Sequence, residues 1–176
     1  MSARIVLLCE DRQTDLFVRR FLGHRNFRGR DITTCKLAAG GGFGEHLVRK
    51  QFPGQLKAIR GRQEAFLVVV IDADTGTTAA RRCQLSEECT KCGIAGPGAV
   101  DRVVVVVPRR NIETWFKYLG GDEVDETIRY PKLQRERDCR PHADKLHEMC
   151  HEAQKLVKPA PPSIREACGE YPKLKR

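Results

Sequence analysis

The sequence predicts an α/β fold built on a parallel sheet of about four strands flanked by helices. Four short apolar runs, rich in β-branched residues, each precede a stretch with helical periodicity. The third and fourth runs are almost entirely apolar, which is typical of strands that helices cover on both faces. With right-handed crossovers between the strands, we take 2-1-3-4 as the strand order.

The individual elements follow from these runs and from the residues that begin or interrupt them. The strands are predicted at 4–9, 31–37, 66–71 and 102–108. The helices are predicted at 14–22, 44–62, 78–89 and 111–119. Thr14 and Asn111 are the expected N-caps, and Pro53 and Gly54 are expected to divide the second helix into two pieces. Apolar residues on one face of the fourth helix, led by Trp115, are expected to pack in the core.

The composition changes near residue 120. Residues 1–120 form the predicted α/β core, and residues 121–176 contain little hydrophobic periodicity apart from a helix predicted at 142–156. The last part is rich in proline and basic residues. We interpret 121–176 as a C-terminal helical and extended arm packed on the core.

The charge of the chain indicates a polyanionic partner. Its 176 residues include 32 Lys and Arg against 23 Asp and Glu, so the formal net charge is +9. Such a surface favours DNA or RNA as a partner. No apolar run is long enough for a signal peptide or a membrane span, so we expect a cytoplasmic protein without a membrane partner. In that reducing compartment, the eight cysteines are expected to be thiols or metal ligands and not disulfides.

Acidic residues follow three of the predicted strands. They are Glu10, Asp11 and Asp15 after strand 1, Asp72 and Asp74 after strand 3, and Glu113 in the first turn of the helix after strand 4. In parallel sheets, ligands bind beyond the carboxyl ends of the strands, where the strand order reverses. Converging carboxylates repel one another, and one or two Mg²⁺ or Mn²⁺ ions would relieve the repulsion and promote phosphodiester cleavage. The alternative is that such acids are helix N-caps or interact with helix dipoles, which suits Asp74 and Glu113 better than Glu10 and Asp72.

This arrangement resembles the Toprim domain, in which a strand ending in glutamate, with an acid a few residues on, is followed by a strand ending in Asp-x-Asp. The chain is most similar to the small stand-alone Toprim-like proteins of bacterial defence and mobile elements, which are related to overcoming-lysogenization-defect nucleases. The stretches "RRNIETW" and "PPSIREACGEYPKL" extend the resemblance over most of the chain. The resemblance implies a Toprim/Rossmann-like fold, a Mg²⁺- or Mn²⁺-dependent nuclease, a role in anti-phage defence and an ATPase partner.

The resemblance also implies roles for the acidic residues. Glu10 would be a metal ligand or a general acid/base, and Asp72 and Asp74 would be metal ligands. Asp15 would be the second acid of the first motif, and Glu113 would be a further site carboxylate. The chain departs from the pattern because Asp11 replaces the usual glycine and Asp15 lies one residue further on, so Asp11 is the alternative to Asp15.

Basic residues near these motifs are candidates for phosphate contacts, and the alternative is that they belong to ordinary solvated helix faces. The candidates are Arg12, Arg49, Lys50, Arg109 and Arg110. A glycine-rich turn at 38–47 matches no nucleotide-binding fingerprint, and we interpret it as a flexible loop beside the cleft. Cys89 and Cys92 have the spacing of a structural zinc site, but the sequence lacks a second tight pair.

Two other functions stay open. A basic adaptor that binds nucleic acid or a protein would have the same charge and a degenerate acidic site. A haloacid-dehalogenase-like phosphatase also has an Asp-x-Asp motif, but that motif normally follows the first strand, with Thr or Val where this chain has Gly76. Topoisomerase activity would need a tyrosine nucleophile on a separate large domain.

Overall fold

A computed structural model describes residues 3–35, 44–151 and 159–174. Its four strands are β1 (Arg4–Cys9), β2 (Ile32–Thr34), β3 (Ala65–Val70) and β4 (Val103–Val106). They form one all-parallel sheet in the order β2-β1-β3-β4, so the predicted α/β class and strand order are confirmed. Cys9 pairs with Val70 at the ends of β1 and β3, and Glu10 and Asp72 therefore leave the sheet at nearly the same level.

Among the described residues, six α-helices flank the sheet. They are α1 (Arg12–Gly23), α2 (Gly44–Arg60), α3 (Thr78–Lys91), α4 (Ile112–Leu119), α5 (Arg140–His151) and α6 (Pro162–Glu170). Short 3₁₀ turns lie at Gly29–Asp31, Glu136–Cys139 and Tyr171–Lys173. Within the described ranges, none of these helices combines the length and apolar character needed to cross a membrane.

The core has two layers, one on each face of the sheet. All six residues of β3 are buried, because successive side chains point to opposite faces and helices cover both. Phe66, Val68 and Val70 pack in a cluster with α1, α4, α5 and α6. Leu67 and Val69 pack in the other cluster, with α2 and α3. As predicted, the aromatic and aliphatic face of α4 is buried; its members are Trp115, Phe116 and Leu119.

Two helix predictions were wrong. The N-cap of α1 is Asp11 and not Thr14, and its side chain accepts a hydrogen bond from the Thr14 backbone N–H at 2.9 Å. The helix α2 is continuous through Pro53, although an internal proline removes a backbone hydrogen bond and costs about 3 kcal/mol. Phe52 and Leu56, which flank Pro53 in α2, are fully buried against the sheet, and this burial offsets the loss.

The arm is part of the core. Cys139, Leu146 and Ile164 are buried in the same cluster as β1, β3 and α4. A helix, α6, forms in the region predicted to be a proline-rich tail, because Pro162 suits the first turn of a helix and Ile164 and Ala167 are buried on one side. The helix predicted at 142–156 is α5, and residues 152–156 lie outside the described residues, as do residues 38–43 of the glycine-rich turn.

One cysteine prediction was also wrong. Cys150 on α5 and Cys168 on α6 form a disulfide, with a Cα–Cα distance of 4.8 Å. The other six cysteines are thiols. Cys89 is buried in the core and Cys92 is exposed. The disulfide depends on α5 and α6 packing side by side, and the spacing of cysteines along the chain does not reveal that packing.

Candidate functional site

A cleft of about 760 Å³ opens at the carboxyl ends of β1 and β3. It is bounded by the starts of α1, α2 and α4 and by a segment of the arm, residues 129–132. Its carboxylate side chains are Glu10, Asp11, Glu45, Asp72, Asp74 and Glu113. Its lysine and arginine are Lys132 and Arg129, both from the arm. The strand order therefore brings together Glu10, Asp72, Asp74 and Glu113, as predicted, whereas Asp15 does not line the cleft.

Glu10 and Asp72 form the centre of the cleft. Glu10 Oε1 accepts a hydrogen bond from the Asp72 backbone N–H at 2.6 Å, which joins the ends of β1 and β3 directly. Among the described residues, no hydrogen bond to the carboxylate oxygens of Asp72 is present. The Glu10 carboxylate is thus bonded to the backbone, whereas the Asp72 carboxylate faces the cleft without a hydrogen-bond partner among the described residues.

Burial makes both central carboxylates hard to ionise. Burial, with the nearby charges of Asp74 and Asp11, raises the pKa of Glu10 to about 7, against the hydrogen bond from the Asp72 N–H and the charge of Arg81. The pKa of Asp72 is raised well above its usual range, first by burial and then by the charges of Glu10 and Glu113. Carboxylates that share a buried cleft favour a cation or a proton between them.

The first turn of α2 closes one side of the cleft. A Cβ atom at Gly44 would lie 2.7 Å from the Glu10 carbonyl oxygen, so only glycine lets α2 approach β1 this closely. The amino end of a helix carries a partial positive charge. The close approach therefore places the partially positive end of α2 against the backbone of Glu10.

Glu113 is the most enclosed of the cleft acids, with 4% of its surface exposed. Its Oε1 accepts a hydrogen bond from Gln13 Nε2 at 2.8 Å, and its Oε2 accepts one from Asn111 Nδ2 at 2.6 Å. Burial raises the pKa of Glu113 despite the bond from Gln13. Asn111 occupies the predicted N-cap position of α4, but its side chain makes no cap hydrogen bond to the helix backbone because its amide is directed to Glu113 instead.

Asp11 differs from its neighbours because a lysine faces it. Its carboxylate accepts hydrogen bonds from Lys132 Nζ and from the Thr14 backbone N–H. Burial acts to raise the pKa of Asp11, but these two bonds lower it below its usual range. Asp11 is thus ionised, and Lys132 balances its negative charge within the cleft.

Asp74 lies at the rim of the cleft. Its backbone has φ of 54°, a left-handed conformation that few residues other than glycine adopt and that aspartate tolerates better than most. Its Oδ2 is 3.7 Å from Nη2 of Arg81. The guanidinium of Arg81 is buried and also donates a hydrogen bond to Glu45, so it neutralises this side of the cleft.

The other predicted site residues lie elsewhere. Asp15 accepts hydrogen bonds from Arg19 Nε at 2.9 and 3.1 Å and from the Thr34 hydroxyl, so of the two alternatives only Asp11 is in the cleft. Arg12 pairs with Glu136 at 3.2 Å.

The remaining predicted phosphate contacts are also outside the cleft lining. Arg49 Nε lies 2.5 Å from Oε1 of Glu45, which lines the cleft, and Arg49 and Lys50 lie 3.7 and 3.6 Å from the carboxylate of Glu88. Arg109 and Arg110 are half-buried and are not among the residues that line the cleft. The cations that do line it, Arg129 and Lys132, belong to a stretch without hydrophobic periodicity, and only the return of the arm to the sheet edge places them there.

The donors in the cleft suit a hard divalent cation. They are carboxylate oxygens, the ligands that Mg²⁺ and Mn²⁺ prefer, and Glu10, Asp72 and Asp74 would hold the ion. Within residues 3–35, 44–151 and 159–174, no three His, Cys, Asp or Glu side chains are already arranged to hold a metal ion. The chemistry of the donors therefore fits the cation, and ligation requires the side chains to turn further into the cleft.

Comparisons with known proteins give no relative. No protein-family model matches the sequence, and no curated protein and no solved structure is significantly similar to it. The fold and the cleft define an α/β protein with an acidic site at the carboxyl edge of its sheet, and the function has to be inferred from that site.

Proposed function

We propose that the protein is a Mg²⁺- or Mn²⁺-dependent nuclease of the Toprim type, which hydrolyses phosphodiester bonds of DNA or RNA. The observation that carries this proposal is the meeting of Glu10, Asp72 and Glu113 in one cleft, with the pKa of each raised by burial. Clustered acids with perturbed pKa values mark functional sites more often than structural ones.

Four carboxylates of the cleft have a role in this proposal. Glu10, Asp72 and Asp74 would hold the cation, which when bound would promote ionisation of a water molecule and neutralise charge on the phosphate. The pKa of about 7 belongs to Glu10 without a cation, and a bound cation would lower it, so that Glu10 would be ionised as a ligand at neutral pH. Glu113 is held in a fixed orientation beside Asp72.

The positive charges of the arm and of the surface suit a nucleic acid. Arg129 and Lys132 line the same cleft as the acids, so they contact the phosphates on either side of the scissile bond. The net charge of +9 adds attraction that does not depend on base sequence. The resemblance to stand-alone Toprim-like proteins extends the proposal to an ATPase partner and a role in anti-phage defence.

A second candidate is a non-catalytic adaptor that binds nucleic acid or a partner protein. One observation favours it: the described residues contain no ready group of three metal-binding side chains. In that case Lys132 on Asp11 and Arg81 beside Asp74 are permanent counter-ions that keep the acidic cleft folded.

Cleavage assays decide between these candidates. Supercoiled DNA, linear DNA, single-stranded DNA and structured RNA are incubated with the protein in EDTA, Mg²⁺ or Mn²⁺. Cleavage that needs the metal and is lost in Glu10→Gln supports the nuclease, with Glu87→Gln, an exposed glutamate of α3, as the matched control. Absence of both cleavage and calorimetric metal binding rejects the nuclease and leaves the adaptor.

A further inference from the structure

We propose that Gln13 and Asn111 are positioning residues, which form an amide clamp that couples the orientation of the Glu113 carboxylate to the docking of arm segment 130–133. The clamp is a structural device, and its effect on catalysis rests on the function proposed above. It joins three parts of the chain that are far apart in sequence: the first turn of α1, the start of α4 and the arm.

Gln13 forms the first half of the clamp. It is 3% exposed, and its Nε2 donates to Glu113 Oε1 at 2.8 Å. Its other amide atom, Oε1, accepts the backbone N–H of Leu133 at 3.2 Å. One buried side chain therefore holds the site carboxylate with one end and the arm backbone with the other.

Asn111 repeats the arrangement from the opposite side. Its Nδ2 donates to Glu113 Oε2 at 2.6 Å and to the Tyr130 carbonyl at 2.8 Å. Its Oδ1 accepts the Tyr130 backbone N–H at 3.4 Å and the Thr114 hydroxyl at 3.3 Å. Asn111 is 6% exposed, so these bonds have little competition from water.

The backbone of the arm fixes which way each amide faces. Because the N–H groups of Leu133 and Tyr130 need acceptors, the carbonyl oxygens of Gln13 and Asn111 face the arm. Their NH₂ groups then face Glu113, where two acceptor oxygens are required. A carboxylate at position 113 satisfies both donors, whereas an amide there would oppose one N–H group with another.

The coupling places the cations of the arm as well. The clamp holds the backbone of Tyr130 and Leu133. Arg129 directly precedes Tyr130, and Lys132 lies between the two. When the clamp forms, the side-chain amides of Gln13 and Asn111 orient Glu113 and, through their bonds to the backbone of Leu133 and Tyr130, bring these cations to the cleft. Loss of either half leaves buried polar groups of Glu113 or of the arm without partners, which is unfavourable.

Amide hydrogen exchange of the full-length protein tests the clamp without any need for activity. The Leu133 amide is followed in wild type, Gln13→Ala, Glu113→Gln, the double swap (Gln13→Glu with Glu113→Gln), and Gln63→Ala, an exposed glutamine between α2 and β3 that serves as the control. The same proteins are assayed for kcat and KM in metal-dependent cleavage, and circular dichroism reports whether each variant folds.

We expect exchange at Leu133 to be about tenfold faster in Gln13→Ala and in Glu113→Gln, with no change in Gln63→Ala. The swap restores protection, because the carboxylate introduced at position 13 accepts both the Leu133 N–H and a hydrogen bond from the amide introduced at position 113. For cleavage, we expect kcat of Gln13→Ala to fall about 100-fold with a smaller change in KM, since a displaced site group loses its alignment. The swap stays inactive because it lacks the carboxylate at position 113.

The results separate failure of the clamp from failure of the nuclease. Unchanged Leu133 exchange in both Gln13→Ala and Glu113→Gln overturns the clamp, and wild-type kcat in Gln13→Ala overturns its positioning role in cleavage. A wild-type protein that neither cleaves under any metal condition nor binds metal in calorimetry rejects the nuclease, while the exchange rates still decide whether the clamp exists.

Discussion

Carboxylates of the cleft and carboxylates on the helical surface carry the same chemical group in opposite electrostatic surroundings. On the surface, Arg60 holds the pKa of Asp101 below its usual range by hydrogen bonds of 2.7 and 2.9 Å. In the cleft, burial and neighbouring carboxylates raise the pKa of Glu10 and Asp72 instead. Acidity alone therefore does not mark a site, because Asp101 is neutralised by its surroundings whereas the cleft pair is not.

The two kinds of acid also differ in what the fold gains from them. Asp144 bonds to Arg20 and His24 and ties α1 to α5, so its ionised form stabilises the fold. Ionised Glu10 and Asp72 destabilise it unless a cation is bound. Proteins keep such costly arrangements mainly where function requires them.

The largest expected effect comes from removing the central cleft charge. If the proposed nuclease is correct, we expect Asp72→Asn to lower metal-dependent cleavage by about 1000-fold, because the proposed cation would contribute several kcal/mol to the transition state and Asp72 would be its central ligand. Initial rates at saturating Mg²⁺ measure the effect. The surface substitution Asp101→Asn should leave the rate unchanged, and Asp72→Asn retaining about a tenth of wild-type activity or more would contradict the assignment.

The next effect is a pH dependence of stability, in which the cleft acids cause a decline with rising pH and two histidines oppose it, because burial lowers the pKa of His142 and His147. The folded-state pKa of Glu10 is raised from 4.5 to about 7, so its favourable contribution is complete below pH 4.5 and is lost as the pH rises through about 7. For metal-free protein in EDTA, we expect Glu10 to lower the free energy of unfolding between about pH 5.5 and 8.5 by about 2 kcal/mol, because only the range from pH 5.5 to its pKa of about 7 falls within this window. Urea unfolding at each pH measures it.

The surface acids provide the opposite control. The pKa values of Asp101 and Asp144 are lowered, so their contributions are lost only as the pH falls through those lowered values, and they are constant from about pH 5.5 to 8.5. Glu10→Gln should therefore reduce the decline, although the contribution of Asp72 stays because burial also raises the pKa of that carboxyl, and Asp144→Asn should leave the slope intact. An equal decline in Glu10→Gln and wild type would show that another group causes it.

A smaller effect is expected from the cation that faces Asp11. We expect Lys132→Ala to weaken nucleic-acid binding and to reduce the slope of log K against log salt by about one, because one phosphate contact is lost. Fluorescence anisotropy over a series of salt concentrations measures the slope. Arg12→Ala is the comparison, since Arg12 was a candidate in the sequence but is exposed and outside the cleft; a larger change in Arg12→Ala would reverse the assignment.

The smallest effect is on the surface pair itself. We expect Asp101→Asn to lower the free energy of unfolding by about 1 kcal/mol, because the Arg60 side chain is 32% exposed and can be solvated when the pair is lost, although the Asp101 side chain is only 8% exposed. Chemical denaturation at about pH 7 measures the loss, and Arg60→Ala should give a similar value. A loss of several kcal/mol would mean that this pair resembles the buried groups more than the surface ones.

Much of the fold could be predicted from local patterns. Successive side chains of a strand point to opposite faces of the sheet, so a strand covered on both faces needs apolar residues at every position. The continuous apolar run from 66 to 71 therefore identifies β3 directly. The convergence of Glu10 and Asp72 followed from parallel topology, because strand ends of a parallel sheet share one edge. The predicted break of the second helix at Pro53 was wrong, because burial of α2 outweighs the free-energy cost of the internal proline.

Local patterns in the sequence suffice for the α/β class, for the strand order that parallel topology favours, and for the acids at the exits of β1, β3 and β4, because these depend on short-range periodicity and on chain direction. Which acids are paired depends on the packing of the whole chain, since Arg19 removes Asp15 from the site and Lys132 neutralises Asp11. The same packing creates the Cys150–Cys168 disulfide and the contacts of Gln13 with the site and the arm. Most of these interactions join residues far apart in the chain, and such partners meet only when the arm packs on the sheet.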